Sequence, residues 1–158
     1  MKNRHAKCYQ LIGVPGSGKS TWANNQEWTT DCVYVSTDKH VESYADSLGL
    51  SYNEVFEDYM PTAVDCMVID ILEARKFNMD IIWDQTSTTV NSRKKKFNML
   101  SEYEHIAVVF KTPKPEELSR RLASRPGKVI PKRVIIQMID GWEEPTLEEG
   151  FKEIWYAT

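Results

Sequence analysis

Residues 13–20 read Gly-Val-Pro-Gly-Ser-Gly-Lys-Ser and match the pattern G-x-x-x-x-G-K-[ST] at every fixed position. Glycines in such a loop let the backbone wrap around a polyphosphate, so that successive N–H groups point at its oxygens. A short β-prone run at residues 8–12 precedes the loop, and residues 20–25 can open a helix after it. A strand, a glycine loop and a helix in this order predict the phosphate-binding loop (P-loop, or Walker A motif) of an α/β protein.

We expect this loop to bind a nucleoside triphosphate. Lys19 would reach the β- and γ-phosphates as a point charge, and the Ser20 hydroxyl would ligate Mg²⁺. The residues expected to contact the nucleotide from the loop and the turn after it are Gly13, Pro15, Gly16, Ser17, Gly18, Lys19, Ser20 and Thr21. The predicted cofactors are therefore ATP and Mg²⁺.

The size and charge of the chain limit its class. It has 158 residues and a formal net charge of −3, and we expect a single P-loop domain over residues 1–158. The negative charge excludes a protein that coats nucleic acid by bulk electrostatics. No apolar run approaches the length of a membrane span, and three cysteines are too few for a disulfide framework. We expect a cytoplasmic protein with no membrane association and no stable protein partner.

Predicted strands alternate with predicted helices along the chain. The predicted strands are residues 7–12, 32–36, 79–83, 105–110 and 151–156. The predicted helices are residues 19–29, one from about 39, 51–76, 91–102, 115–124 and 131–141. Asn91 is the expected cap of its helix, Ser51 and Glu54 form a capping box, and Pro61 could kink the longest helix. The pattern predicts an α/β sandwich of the P-loop NTPase type, with three layers, a mainly parallel sheet and a short helical lid.

Two aspartates follow predicted strands, at the sheet edge where ligands bind in such folds. Asp84 closes the apolar run Ile81-Ile82-Trp83. Beside a P-loop such an aspartate orders the metal or its waters, or else it caps the following turn. Asp38 follows the second strand, where it either caps a helix or accepts the proton of an attacking hydroxyl. Spacing alone leaves both pairs of roles open.

A basic segment, residues 120–128, runs from the end of a predicted helix into a Pro-Gly turn. Arginines on a mobile connection between helices can fold over a triphosphate and neutralise the charge that moves during transfer. The alternative is a helix C-terminus that cations stabilise. We favour a lid in which Arg125, helped by Arg121, contacts the phosphates.

Together these segments resemble the kinase module of the polynucleotide 5′-hydroxyl kinase family of phages and animals, which is related to other P-loop kinases of phages and bacteria. The resemblance extends from about Tyr9 to Phe151. It is carried by the loop at residues 13–22, Ser36-Thr37-Asp38 in place of the family's Asn-Arg-Asp, residues 84–87 with Arg93, the arginines at 121 and 125, and Glu-Glu-Pro-Thr-Leu-Glu-Glu-Gly-Phe at residues 143–151. The loop is common to many kinases, whereas its combination with the last segment is much more specific.

The resemblance implies an ATP- and Mg²⁺-dependent kinase that moves the γ-phosphate to the 5′-hydroxyl of DNA or RNA, so that a nucleic-acid 5′ end is the expected substrate. The residues that it implies in catalysis are Lys19, Asp38, Asp84, Arg121 and Arg125. Asp38 is the expected general base, Asp84 orders the metal shell, and Arg125 stabilises the transferred group. The run Arg93–Lys96 is a candidate for tracking the acceptor backbone through phosphate contacts.

The sequence departs from the family on the acceptor side. Val41 stands where the phage enzyme has an arginine that contacts the acceptor, and Ser36 and Thr37 replace Asn and Arg beside the base. The missing arginine and the acidic net charge favour an alternative in which the acceptor is small, such as a nucleoside, a nucleotide or a sugar. A second alternative is an ATP-binding switch that has no acceptor. Because the resemblance covers the kinase module alone, we expect no phosphatase domain and no end-healing by this polypeptide alone.

Overall fold

Five parallel strands form the central sheet of the protein, for which the computed structural model describes residues 4–157. The strands are β1 (Lys7–Ile12), β2 (Val33–Val35), β3 (Ile81–Asp84), β4 (Glu104–Phe110) and β5 (Glu153–Ala157). Their order across the sheet is β2-β3-β1-β4-β5, and each neighbouring pair is parallel. The predicted α/β class with a parallel sheet is confirmed.

Within residues 4–157, six α-helices and two 3₁₀-helices connect the strands. The α-helices are α1 (Lys19–Asn25), α2 (Thr37–Leu48), α3 (Tyr52–Lys76), α4 (Val90–Met99), α5 (Pro115–Ala123) and α6 (Lys132–Asp140). The 3₁₀-helices are Glu27–Asp31 and Leu147–Glu149. The helix predicted over residues 19–29 is therefore divided, because Gln26 is extended between α1 and the 3₁₀-helix that follows it.

A serine sets the start of α2. The Ser36 hydroxyl accepts a hydrogen bond from the backbone N–H of Lys39 (3.3 Å), and α2 begins at Thr37 rather than near Lys39. This serine is the N-cap, because its side chain satisfies a donor that the helix itself cannot pair. Asp38 lies in the first turn of α2, and its alternative reading as the cap is wrong.

Two other helix starts test the predicted capping residues. Thr89, rather than Asn91, caps α4 through a capping box. The capping box predicted at Ser51 and Glu54 is present at the start of α3. α3 then continues through Pro61 as one helix of 25 residues.

Helices cover both faces of the sheet. On one face, buried residues of α3 pack against β1, β2 and β3. On the other face, Ala23 of α1 packs against buried residues of β1, β3 and β4. The loops after β1, β2 and β3 leave the same edge of this parallel sheet, which brings the P-loop, Asp38 and Asp84 together. No helix in the described part of the chain has the length and apolar character that a bilayer span requires.

Candidate active site

The P-loop has the shape and the unpaired groups of a phosphate site. Gly16 and Gly18 have positive φ angles of 85° and 100°, a region that glycine adopts most readily. The N–H of Gly13 donates to the carbonyl of Thr86 (2.9 Å), which joins the loop to the segment after β3. The Ser17 hydroxyl is buried without a hydrogen-bond partner among residues 4–157. Because buried polar atoms are normally paired, this hydroxyl fits a site that receives a phosphate oxygen.

Lys19 is folded onto its own loop. Its Nζ donates hydrogen bonds to the carbonyls of Gly13 (2.8 Å) and Val14 (3.0 Å). Burial lowers the pKa of the Lys19 ammonium to about 8, although the nearby carboxylates of Asp84 and Asp38 oppose that shift. A bound phosphate would compete with the two carbonyls for this cation.

Asp84 is held at the end of β3 by a partner on the adjacent strand. The Tyr34 hydroxyl of β2 donates a hydrogen bond to Oδ2 of Asp84. Burial raises the pKa of the Asp84 carboxyl, while the Tyr34 hydrogen bond and the Lys19 charge act in the opposite direction. This contact orients the carboxylate beside the P-loop, where the sequence placed it.

Asp38 presents a charged carboxylate to the same cleft, with 49% of its side chain exposed. The Tyr52 hydroxyl donates to its Oδ1 (2.7 Å), and Lys128 Nζ donates to its Oδ2 (2.9 Å). Burial by itself would raise the pKa of the Asp38 carboxyl, but the Lys128 charge and these two hydrogen bonds outweigh burial and lower it. A general base needs this ionised and accessible state.

The two predicted lid arginines differ in their contacts. Arg121 Nη1 donates to the carbonyl of Gly16 (3.1 Å), and its Nε donates to Glu117 (2.8 Å). Arg121 therefore already contacts the P-loop. Arg125 is half-buried and lines the cleft, and its guanidinium has no hydrogen-bond partner among the described residues. Of the two predicted lid arginines, Arg125 is therefore the one whose guanidinium is available to a ligand.

Sequence reasoning missed the two partners of Asp38. Lys128 belongs to the basic segment 120–128, so its charge was visible, but 90 positions separate it from Asp38. Tyr52 is the first residue of α3, where the sequence showed a capping box and no sign of a polar contact. The packing of α2 against α3 creates the Tyr52 contact, and the docking of the α5–α6 connection creates the Lys128 contact.

The predicted contact of Arg93–Lys96 with acceptor phosphates is wrong for two of its four residues. Arg93 is completely buried and pairs with Glu149. Lys96 is 6% exposed, and its Nζ lies 5.2 Å from the centre of the Trp83 ring. Positions three apart share one face of a helix, so the inner face of α4 buries both residues. Lys94 and Lys95 alone are exposed.

A cleft of about 2420 Å³ connects the P-loop with Asp38. Part of its wall consists of the P-loop, Asp84, Arg121 and Arg125. Another part comes from α2 and the start of α3 and carries five exposed carboxylates, namely Glu42, Asp46, Glu54, Glu57 and Asp58. The volume suffices for a nucleotide and an acceptor together.

The residues beside the P-loop fit ATP with Mg²⁺. Within residues 4–157 no group of three or more His, Cys, Asp or Glu side chains could hold a metal ion. Mg²⁺ commonly takes one or two protein oxygens and completes its shell with phosphates and water. The exposed Ser20 and the Asp84 carboxylate both line the cleft and provide such a donor set.

A family model described as an AAA domain matches residues 10–145 of the chain. The chain is also 27% identical over 158 residues to the Schizosaccharomyces pombe strain 972 protein named bifunctional polynucleotide phosphatase/kinase. That match covers 97% of this chain and 34% of the relative, so the chain spans about a third of the length of that curated relative. The resemblance to polynucleotide kinases that the motifs predicted is confirmed.

Solved structures share the fold. A Chloroflexus aurantiacus j-10-fl protein described as a "putative kinase" is 17% identical, with a TM-score of 0.73 over 98% of this chain and 88% of that one. A gluconokinase from Sinorhizobium meliloti 1021 is 16% identical, with a TM-score of 0.55 over 98% and 83% of the two chains. These likenesses show the P-loop kinase fold.

Proposed function

Because the chain belongs to the AAA domain family, we propose that its P-loop serves a kinase that transfers the γ-phosphoryl group of ATP to the 5′-hydroxyl of DNA or RNA. The observation that supports this most directly is the ionised carboxylate of Asp38 in the same cleft as the P-loop. The relative named as a polynucleotide phosphatase/kinase supports a nucleic-acid acceptor.

The P-loop side of the cleft would hold the donor nucleotide. Lys19 exchanges the carbonyls of Gly13 and Val14 for phosphate oxygens, and Ser17 provides a further hydrogen bond. Ser20 and Asp84 are the residues that would hold Mg²⁺. When bound, the metal ion neutralises charge on the β- and γ-phosphates.

The transfer itself needs a proton acceptor and a cation. The acceptor hydroxyl oxygen forms a bond to the γ-phosphorus, its proton passes to Asp38, and the bond from that phosphorus to the bridging oxygen breaks to release ADP. Arg125 stabilises the charge on the moving group, and Arg121 keeps the lid in contact with the loop through Gly16.

A small hydroxyl compound is the second candidate acceptor. Five exposed carboxylates line the cleft beside Asp38, from α2 and the start of α3. These charges repel a phosphodiester backbone and favour an acceptor that is neutral or cationic.

Transfer of γ-labelled phosphate from ATP tests the proposal. The acceptors are 5′-hydroxyl DNA and RNA oligonucleotides, a set of nucleosides and a set of sugars, each with wild type, Asp38→Asn and the exposed control Asp31→Asn. Labelled strands from wild type and from Asp31→Asn, but almost none from Asp38→Asn, support a polynucleotide kinase. Labelled nucleosides or sugars without labelled strands would overturn the polynucleotide acceptor and support a kinase for a small hydroxyl compound. No labelled acceptor of either kind, with ATP bound, would overturn kinase activity in favour of a switch.

A further inference from the structure

We infer that Lys128 is a positioning residue for Asp38. While the α5–α6 connection is docked on the start of α3, Lys128 directs the Asp38 carboxylate into the cleft and keeps it ionised. The inference rests on the proposed role of Asp38 as the base. The orientation and charge of the base then depend on a residue of the predicted lid.

The Lys128 ammonium is enclosed by groups that favour its charge. Its Nζ lies 2.9 Å from Oδ2 of Asp38 and 3.3 Å from Oε1 of Glu42. It also lies 4.4 Å from the centre of the Tyr52 ring, a distance typical of a cation–π contact. Only 11% of the lysine side chain is exposed. The lysine end of the ion pair is therefore shielded from solvent, while half of the Asp38 side chain stays open to the cleft.

Backbone hydrogen bonds bring Lys128 to this position. The Asn53 carboxamide donates to the carbonyl of Val129 (3.0 Å) and accepts from the N–H of the same residue (2.6 Å). The backbone N–H of Asn53 donates to the carbonyl of Gly127 (2.9 Å). Both neighbours of Lys128 in the chain are thus bound to one residue of α3, so the lysine is delivered by the docked connection.

Asp38 keeps the capacity to accept a proton in this arrangement. A carboxylate offers about four lone-pair positions, and Lys128 and Tyr52 take one on each oxygen. The side chain is half-exposed, so the remaining positions are open to the cleft. Lys128 therefore orients the Asp38 carboxylate and leaves it able to accept the proton of the acceptor hydroxyl.

Other charges also act on Asp38, and they differ in sign. Those that act on Asp38 itself are Lys128 of the connection, Tyr52 of α3, Lys19 of α1, Asp84 of β3 and Tyr34 of β2, whereas Arg125 and Glu42 act on its partner Tyr52. Lys128 is the one cation among them that contacts the carboxylate. Removing it leaves Asp38 near two other carboxylates, so proton binding becomes easier.

A merely structural ion pair would also shift the titration of Asp38, but it would leave the pH dependence of phosphate transfer in place, so both are measured. The test therefore follows the Asp38 carboxyl by ¹³C NMR in protein labelled at aspartate, with Asp38→Asn to identify the signal. The variants are Lys128→Met, Lys128→Arg, Asn53→Ala and the exposed control Lys76→Met. Phosphate transfer is measured against pH with the same proteins.

We expect the Asp38 titration midpoint to rise by about 1–3 pH units in Lys128→Met. The acidic limb of the rate profile moves to higher pH by the same amount, since the base must be ionised. Lys128→Arg restores the midpoint, Asn53→Ala shifts it in the same direction by less, and Lys76→Met leaves it unchanged.

An unchanged midpoint in Lys128→Met would overturn the inference, because the signal reports on Asp38 directly. A shifted midpoint in a protein that phosphorylates no acceptor would instead contradict the proposed function and leave the electrostatic coupling standing. A shifted midpoint with an unmoved rate profile would show that Asp38 is not the base.

Discussion

Arg93 and Glu149 form a buried salt bridge with two hydrogen bonds across 56 positions of the chain, at 2.8 and 3.1 Å. Arg93 is completely buried, and its Nη1 also donates to the carbonyl of Ser87 (2.9 Å). One guanidinium therefore connects α4, the segment after β3 and the 3₁₀-helix near the end of the described chain. The arginine that resembled a family site residue has a structural role here.

Replacing Glu149 by Ala should lower the free energy of unfolding by about 3–5 kcal/mol, because it leaves the buried Arg93 charge without its carboxylate. Urea unfolding followed by circular dichroism measures this difference. Glu148→Ala is the matched control, since Glu148 is exposed and adjacent. Equal stabilities of the two variants would contradict the importance of the buried pair.

The docking of the α5–α6 connection on the start of α3 can be tested by comparing the replacement of Gly127 by Ala with the same replacement at Gly49. Both have positive φ, 69° and 68°, so alanine is strained at each by about 1–2 kcal/mol. A Cβ at Gly127 would lie 2.5 Å from Cβ of Ser51, whereas one at Gly49 meets nothing within 4 Å.

We therefore expect Gly127→Ala to be less stable than Gly49→Ala by roughly 1–3 kcal/mol. Hydrogen exchange provides a local measurement, because the Asn53 amide that bonds to Gly127 should exchange faster in Gly127→Ala alone. Similar exchange of that amide in both variants would argue against close docking.

Lys19 should take up a proton when ATP binds at alkaline pH. Its pKa is lowered by burial to about 8, so most of the free protein carries a neutral lysine at a pH above that value. Phosphate charge favours the ammonium and raises the pKa, so binding at pH ~8.5 should take up roughly half a proton or more. Affinity for ATP consequently falls as the pH rises above about 8.

Calorimetry in two buffers of different ionisation enthalpy measures this uptake. Lys19→Met should remove the uptake at alkaline pH, although its binding will be weak and needs higher ATP concentrations. Uptake that persists in Lys19→Met would assign the proton to another group.

Arg125→Ala should lower kcat by roughly 10³-fold, the lower range for an arginine that stabilises a transferring phosphoryl group. Arg120→Ala is the control, because Arg120 is 72% exposed and does not line the cleft. Rates of phosphate transfer at saturating ATP give the comparison. A fall in both variants of similar size would indicate a general effect on α5 and no special role for Arg125.

The order of strands and helices was predictable because it depends on local patterns. The apolar runs of β1, β3 and β4 and the capping box of α3 were all read within a few residues of their true positions. The errors fell on helix ends, where several hydroxyl or carboxylate groups could serve as the cap. At α2 the observed cap, Ser36, lies two residues before Asp38, the residue that the sequence offered as a cap.

The candidate site was predictable only in its separate parts. The P-loop, Asp38 and Asp84 line one cleft, as their positions after parallel strands indicated, and the predicted lid arginines Arg121 and Arg125 line it as well. Their contacts were not predictable. Tyr34 holds Asp84, and Lys128 with Tyr52 holds Asp38, through pairs that are far apart in the chain.

The sequence by itself determined the parallel α/β sheet and the P-loop, because apolar periodicity and the backbone freedom of glycine act between residues close in the chain. Only the tertiary structure decided which charged residues are buried and which are paired. Arg93 and Lys96 look like their exposed neighbours Lys94 and Lys95 in the sequence, yet the inner face of α4 buries them. The contact between Lys128 and Asp38 also depends on the tertiary structure, because two residues 90 positions apart form an ion pair only after the helices have packed.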